Sequence, residues 1–317
     1  MEVVRLEPLP TVPRDARPAV VTIGNFDGVH RGHQALVKAA RDRAALRHEV
    51  CLALTFDPHP AAVLNPQRPP RCLMTVSQKA ELLCALGIDV LAVLPFTHAL
   101  ASLTPGDFAA VILSGALGAR AVVVGEGFRF GKSRAGDVAK LQGLGRDLGF
   151  DVVAVPAVLQ DGGRVSSTRV RESLLAGDVT AAAALLGRPY FVEGKVVRGD
   201  GRGRTLGIPT ANRAVENEIL PKEGVYAAEV ALSAGELPRP AVVNLGRRPT
   251  FGGGGPTTTE AHLLDFNDDL YDQRLRVSFV ARLRDERAFS GPEALRAQIQ
   301  EDVRAARRVL AQGGDGL

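Results

Sequence analysis

Two clusters of residues have the types and spacing to do chemistry. The first is Gly24-Asn25-Phe26-Asp27-Gly28-Val29-His30-Arg31-Gly32-His33. Gly24 and Gly28 let the backbone approach an anion closely, and a helix starting here offers unpaired N–H groups and the positive end of its dipole. His30 and His33 are three apart, so both imidazoles can point at one bound group. The stretch has neither the Lys-Ser/Thr ending of a P-loop nor a third candidate metal ligand. What remains is a histidine pair that donates to phosphate oxygens and stabilises the charge developing as pyrophosphate departs. Taken singly, each histidine reads as an ordinary surface or helix-start residue; the ten-residue unit is what points to a nucleotide.

Two later segments suit the same site. Thr55-Phe56-Asp57-Pro58-His59-Pro60 leaves a strand, and Arg164-Val165-Ser166-Ser167-Thr168-Arg169-Val170-Arg171 opens a helix. The hydroxyls of Ser167 and Thr168 can cap that helix or hold phosphate, and the planar fork of Arg171 can clamp pyrophosphate. A plain Ser/Thr cap followed by solvated arginines fits these residues equally well.

The second cluster runs from Arg198 to Asn212. It sets Gly199, Gly201, Gly203 and Gly207 among Arg198, Arg202, Arg204 and Thr205, then ends Pro209-Thr210-Ala211-Asn212. Such a loop either wraps phosphates with its N–H groups and neutralises them with arginine, or is a flexible hairpin turn. Thr210 and Asn212, two apart in an extended segment, offer neutral oxygens on one side, a set that magnesium accepts alongside water and phosphate. Glu260, heading Glu260-Ala261-His262-Leu263-Leu264, shares a strand face with His262. It is either a base for a bound hydroxyl or a surface acid. Residues 244–255, ending in four glycines, read as a mobile flap or an idle loop.

The elements that must position these groups follow from hydrophobic periodicity. Apolar runs at 19–23, 50–55, 90–94, 121–124 and 152–155 alternate with helical spacing at 33–48, 78–86, 105–117 and 135–148. That alternation predicts a Rossmann-like α/β domain over 1–186, a parallel sheet with helices on both faces and ligands beyond the carboxyl ends of its strands. After Gly187-Arg188-Pro189 short alternating segments take over, at 191–197, 224–232, 241–245, 258–264 and 275–283, closed by an amphipathic helix over 292–310. They predict a second domain over 187–317, a small antiparallel β-barrel with a C-terminal helix.

Composition narrows the classes. The chain has 317 residues, 45% of them hydrophobic and 23% charged, which sets aside wholesale disorder and suggests two domains. No apolar run reaches the ~18 residues of a membrane-spanning helix, and the first residues do not read as a secretory signal. Cys51, Cys72 and Cys84 are odd in number and widely spaced, so neither a disulfide framework nor a structural zinc site is expected. The expectation is a reduced, cytoplasmic protein without a membrane partner. The net charge of +4 is carried by scattered arginines broken up by acids, and with no Trp and three Tyr it does not indicate nucleic acid.

His-x-Gly-His with a later Ser-Ser-Thr-x-x-Arg resembles the nucleotidylyltransferase superfamily. The strings GNFDGVHRGH, TFDPHP, GFRFG and RVSSTRVR resemble the FMN adenylyltransferase module of the bacterial bifunctional riboflavin kinase/FAD synthetase family. GRGRTLGIPTAN, GVYA, NLGRRPTFG, EAHLLDF, DLY and RLRDERAF are similar, in the same order, to its riboflavin kinase module. The resemblance implies riboflavin, FMN, FAD and ATP as substrates and products, with Mg²⁺. It implies that His30 and His33 contact phosphate, that Ser167, Thr168 and Arg171 bind ATP, and that Asn25 and Arg164 line the site. It further implies that Thr210 and Asn212 hold Mg²⁺ and ATP phosphates and that Glu260 is the catalytic base. One departure is Gly127, where the family usually has Asn or Asp before Phe-Arg-Phe-Gly; either Glu126 or water substitutes, or adenylylation is slowed. Two rival expectations are a riboflavin kinase with an impaired adenylyltransferase half and a non-catalytic flavin-binding regulator.

Overall fold

The computed structural model of the chain describes residues 1–6, 18–197, 211–232, 236–247, 257–266 and 270–313. The chain forms two compact units, Met1–Ser167 and Thr168–Leu317.

The first unit is built on a six-stranded sheet, all parallel. Its strands are β1 (Glu2–Arg5), β2 (Ala19–Ile23), β3 (Val50–Asp57), β4 (Val90–Pro95), β5 (Ala119–Gly125) and β6 (Asp151–Val155), in the order β1-β4-β3-β2-β5-β6. The chain runs outward from β2 through β3 and β4, then crosses back to place β5 on the other side of β2. The switch point thus lies at the carboxyl ends of β2 and β5, where open α/β sheets bind ligands. Every residue of β2 is buried, as the β-branched run Ala-Val-Val-Thr-Ile requires of a strand covered on both faces. Leu52, Leu54 and Ala92 face one apolar layer, and Cys51, Ala53, Leu91 and Val93 the other.

The helices α1 (Arg31–Arg47), α2 (Pro60–Leu64) and α3 (Val76–Ala85) follow β2 and β3. The helix expected over 105–117 is a single turn at Pro105–Asp107 continued by a π-helix, Phe108–Ala116, in which Leu117 N–H reaches back five residues to Ile112 O at 3.0 Å. The wider turn buries Phe108, Ala109, Ile112, Leu113 and Ala116 together. The last large helix of this unit, Val138–Leu148, ends on Gly149 in the left-handed region (φ 80°), with Gly149 and Phe150 N–H both donating to Gly145 O.

The second unit carries the helix Ser167–Ala176 beyond its first residue, the helix Val179–Leu186 and a closed antiparallel barrel. The first unit also carries a small hairpin of β7 (Leu159–Gln160) and β8 (Gly163–Arg164). The barrel strands are β9 (Tyr190–Val197), β10 (Ala211–Val215), β11 (Gly224–Ala231), β12 (Arg239–Arg247), β13 (Thr257–Leu263) and β14 (Arg274–Arg284), ordered β10-β13-β12-β11-β14-β9 and closed by β9 on β10. The C-terminal helix, Pro292–Gly313, sets Ala306 and Val303 against Val225, Ala227 and Val242. It is held by Asp302, whose buried carboxylate accepts from Arg284 Nε at 2.9 Å and Nη2 at 2.8 Å. The antiparallel barrel and its closing helix agree with the sequence; β1 and β10 are additional strands.

Gly145 shows how tightly the first unit is packed, because a Cβ there would stand 2.5 Å from Phe150 O, a backbone atom that cannot swing away. Gly145→Ala is expected to cost about 1–3 kcal/mol, seen as a lower denaturation midpoint with an unchanged slope.

Candidate active site

In the first unit the site is the connection from β2 to α1. Phe26, Gly28 and Val29 all have positive φ (47°, 89° and 42°). For Phe and for β-branched Val this is strained backbone, costing about 1–3 kcal/mol each. Packing enforces it, since both side chains are essentially inaccessible and the Phe26 ring lies under Gly24, within 3.3 Å of where a Cβ would be. The turn delivers His30 as the N-cap of α1, its Nδ1 accepting from His33 N–H at 3.3 Å. With Nδ1 accepting, a neutral His30 ring carries its proton on Nε2.

The two imidazoles stack, with centroids 3.6 Å apart and planes at 13°, and Phe26 meets His33 edge-on at 5.3 Å. Gly32 is what lets the His30 ring lie back, for a Cβ there would be 3.2 Å from it. His33 is held well below the ordinary histidine range, first by burial, then by His30 and Lys79, so it is a neutral imidazole. Its Nδ1 is buried with no hydrogen-bond partner among the described residues.

The loop is tied down from below. Asp27 is buried; its Oδ1 accepts from Leu73 N–H at 2.8 Å, and its carbonyl accepts from Ser167 Oγ at 2.7 Å. Thr55 Oγ1 donates to Asn25 O at 3.2 Å, while the Asn25 amide lies 3.1 Å from His59 Nε2. His59 in turn caps α2, its Nδ1 accepting from Ala61 N–H. Ser167 therefore does part of its work as a tie to the loop, and it begins the helix that carries Thr168 and Arg171. Lys79, which sequence reasoning missed, is 7% exposed and donates to Thr55 Oγ1 at 3.2 Å. A signal existed: Lys79 sits in the Val76-x-x-Lys79-Ala80-x-x-Leu83 stripe of α3, where an apolar residue is expected.

At Gly127 the geometry is informative. A Cβ there would stand 3.0 Å from Arg164 Nη1, so the guanidinium of Arg164 occupies the space next to the Gly127 backbone. Glu126 is turned elsewhere, with Oε1 accepting from Ala157 N–H at 3.1 Å.

In the barrel, β13 lies between β10 and β12. Its register sets Glu260 directly across from Asn212 on one side and Asn244 on the other. Burial alternates along the strand, with Glu260 and His262 half-buried and Ala261 and Leu263 buried. Asn244 Nδ2 donates to Glu286 Oε1 at 3.2 Å. A carboxylate only accepts, so this bond fixes which end of the amide is nitrogen. Asn244 Oδ1 is then a buried acceptor with no partner among the described residues. Gly246, lacking a Cβ, leaves room for the Glu286 carboxylate against β12. Gly199, Gly201, Arg202, Gly203, Arg204, Thr205 and Thr210 lie outside the described residues, and Asn212 is placed by its backbone alone. Among the described residues no group of three His, Cys, Asp or Glu side chains could hold a metal, and no helix is long and apolar enough to cross a membrane.

Comparison with known proteins agrees with both halves of this geometry. A family model described as FAD synthetase matches residues 12–169, and one described as riboflavin kinase matches residues 186–310. The bifunctional riboflavin kinase/FMN adenylyltransferase of Pseudomonas fluorescens is 42% identical over 93% of this chain and 94% of its own length. The protein of the same name from Escherichia coli K12 is 38% identical over 91% of each. A solved structure described as a macrolide-efflux protein from Streptococcus pneumoniae superposes with a TM-score of 0.87, at 29% identity over 97% of this chain and 99% of that one. With two family models in tandem and full-length relatives at this identity, the chain belongs to the bifunctional riboflavin kinase/FMN adenylyltransferase family.

Proposed function

We propose that residues 187–317 transfer the γ-phosphoryl group of ATP to the terminal ribityl hydroxyl of riboflavin, giving FMN and ADP. Residues 1–186 then join FMN to the adenylyl group of a second ATP, giving FAD and pyrophosphate. The observation that carries this reading is that the two sets of residues stand on separate units, a histidine pair at a parallel-sheet switch point and a carboxylate on a barrel strand.

In the barrel, Glu260 takes the proton of the attacking hydroxyl as its oxygen bonds to the γ-phosphorus and the bond to ADP breaks. Gly199, Gly201, Arg202, Gly203, Arg204 and Thr205 cradle the ATP phosphates. The donor chemistry fits Mg²⁺: Asn212 and Asn244 flank Glu260 in register, all three bear oxygens, and the Asn244 oxygen has no hydrogen-bond partner among the described residues. Thr210 and Asn212 would hold the ion, which when bound neutralises charge on the transferred phosphoryl group.

In the first unit an FMN phosphate oxygen attacks the α-phosphorus of ATP, the bond to the β-phosphate breaks, and no covalent enzyme intermediate forms. Gly24, Asn25, Asp27 and Gly28 shape the loop, and His30 and His33 donate to phosphate oxygens, His33 as a neutral imidazole. Arg171, with Ser167 and Thr168, binds the ATP phosphates. Arg164 lines the site from its place beside Gly127, which supports a working adenylyl half despite the missing side chain. We place this chemistry in the cytoplasm; Cys51, Cys72 and Cys84 form no disulfide, as suits a reducing compartment.

Incubation of the purified chain with riboflavin, ATP and Mg²⁺, with flavins separated over time, should show FMN rising and then giving way to FAD. FMN without FAD would leave only a kinase, and bound but unchanged riboflavin would leave neither activity. Glu260→Ala should lower FMN formation by about 10²–10⁴-fold while FAD still forms from added FMN, and His33→Ala should do the reverse. Loss of both activities from either change in a folded protein would sink the two-site reading.

Half-buried His33 also sets a pH dependence of stability, because desolvation disfavours its charged form. Its folded pKa lies well below 6.5, so under mild acid the unfolded chain binds a proton that the folded unit refuses. Stability of the first unit should therefore fall as pH drops below 6.5, by up to about 1.4 kcal/mol per pH unit. Denaturant melts of wild type and His33→Gln across that range should show the slope in wild type and its reduction in the variant.

A further inference from the structure

Lys79 is a buried cation that the chemistry above does not use. It stands in the first turn of α3, a helix fixed by a capping box between Thr75 and Gln78. The helix could have met the sheet with an apolar residue, as it does at Ala80 and Leu83. An ammonium in this position is costly unless it is matched, and it is matched by groups of the site itself. Nζ donates to Thr55 Oγ1, which donates to Asn25 O, so two hydrogen bonds run from α3 to the 24–33 loop. Burial pulls the Lys79 pKa down, while Asp27, Cys72 and Asp57 pull it up. Of these, Asp27 belongs to the loop, and Asp57 also pairs with Arg5 at 3.3 Å. The groups that act on His33 are His30 and Lys79.

We propose that Lys79 is a positioning residue for adenylyl transfer: tied through Thr55 to the Asn25 carbonyl and faced by Asp27, its buried ammonium fixes the 24–33 loop and keeps positive charge beneath the phosphate-binding histidines. The proposal rests on the adenylyl-transfer reading of this unit. Lys79 acts in three ways. It holds the strained turn in the geometry that stacks His30 on His33, and it offsets the Asp27 carboxylate, which would otherwise repel an incoming phosphate. It also opposes a second positive charge on His33, so the histidine stays a neutral donor.

The test uses the full-length chain and Lys79→Met, a change of similar shape without the charge. FAD formation from FMN and ATP should lose about 10²-fold in kcat with KM for FMN far less affected, while FMN formation from riboflavin keeps its wild-type rate. The NMR titration midpoint of the His33 imidazole should move up, because a positive neighbour has gone. A lysine whose charge does not reach His33 would leave that midpoint in place. Thr55→Val keeps the cation and cuts its tie, so it should lower kcat for FAD formation without the upward move. A wild-type rate of FAD formation in Lys79→Met, or an unmoved His33 midpoint, overturns the proposal. If Lys79→Met does not fold, Thr55→Val decides: a lowered kcat supports the proposal and a wild-type rate overturns it. Absence of FAD from the wild-type chain would sink the adenylyl-transfer reading itself, and the His33 titration would still decide whether Lys79 sets its charge.

Discussion

The first unit depends on one backbone constraint, the reversal between β2 and α1. Three residues within four positions adopt the left-handed region, and two of them are not glycine. No local preference of Phe26 or Val29 supports that conformation; it exists because both side chains are buried in the layer that also holds Val37 and Ala40 of α1. From it follow the capping role of His30, the stack with His33 and the exposure of the α1 N-terminus to a ligand. The strain is local, and the packing that offsets it extends across the layer.

Burial does opposite things to the polar groups of this unit and of the barrel. Around the 24–33 loop, desolvation selects the neutral form of His33 and demands partners for Asp27 and Lys79. On the barrel, Glu260 is only half-buried and Asn244 is oriented by a second carboxylate, Glu286. The first environment keeps His33 a neutral imidazole; the second leaves Glu260 partly in contact with solvent. In the proposed reading these meet the different demands of binding a leaving pyrophosphate and of deprotonating an alcohol.

Much of this was legible in the sequence where one residue type has one physical use. A fully apolar β-branched run such as Ala19–Ile23 has few homes other than a central parallel strand, and the His-x-Gly-His spacing places two rings on one helix start. Five of the six barrel strands were visible through their alternation and the turns between them; β10 was not. What escaped were features set by tertiary context. The strand β1 is too short and exposed to announce itself, and the π-helix differs from an α-helix by one residue per turn. Lys79 stands at a core position of the α3 stripe, but what its ammonium meets there is set by β3 and the 24–33 loop. Asn244 gains its meaning from Glu286, forty-two residues away. Residues 198–210 lie outside the described residues, so their sequence reading stands by itself.

The strand β1 deserves a last consequence. Only four residues long and largely exposed, it lies along β4, which is buried from Val90 through Leu94, with Glu2 opposite Val90 and Arg5 opposite Val93. An uncovered β4 would present an apolar strand with open N–H and C=O groups, a template for any other chain with strand character. By taking that edge with a short strand ending in charge, the chain acts as its own guard against aggregation.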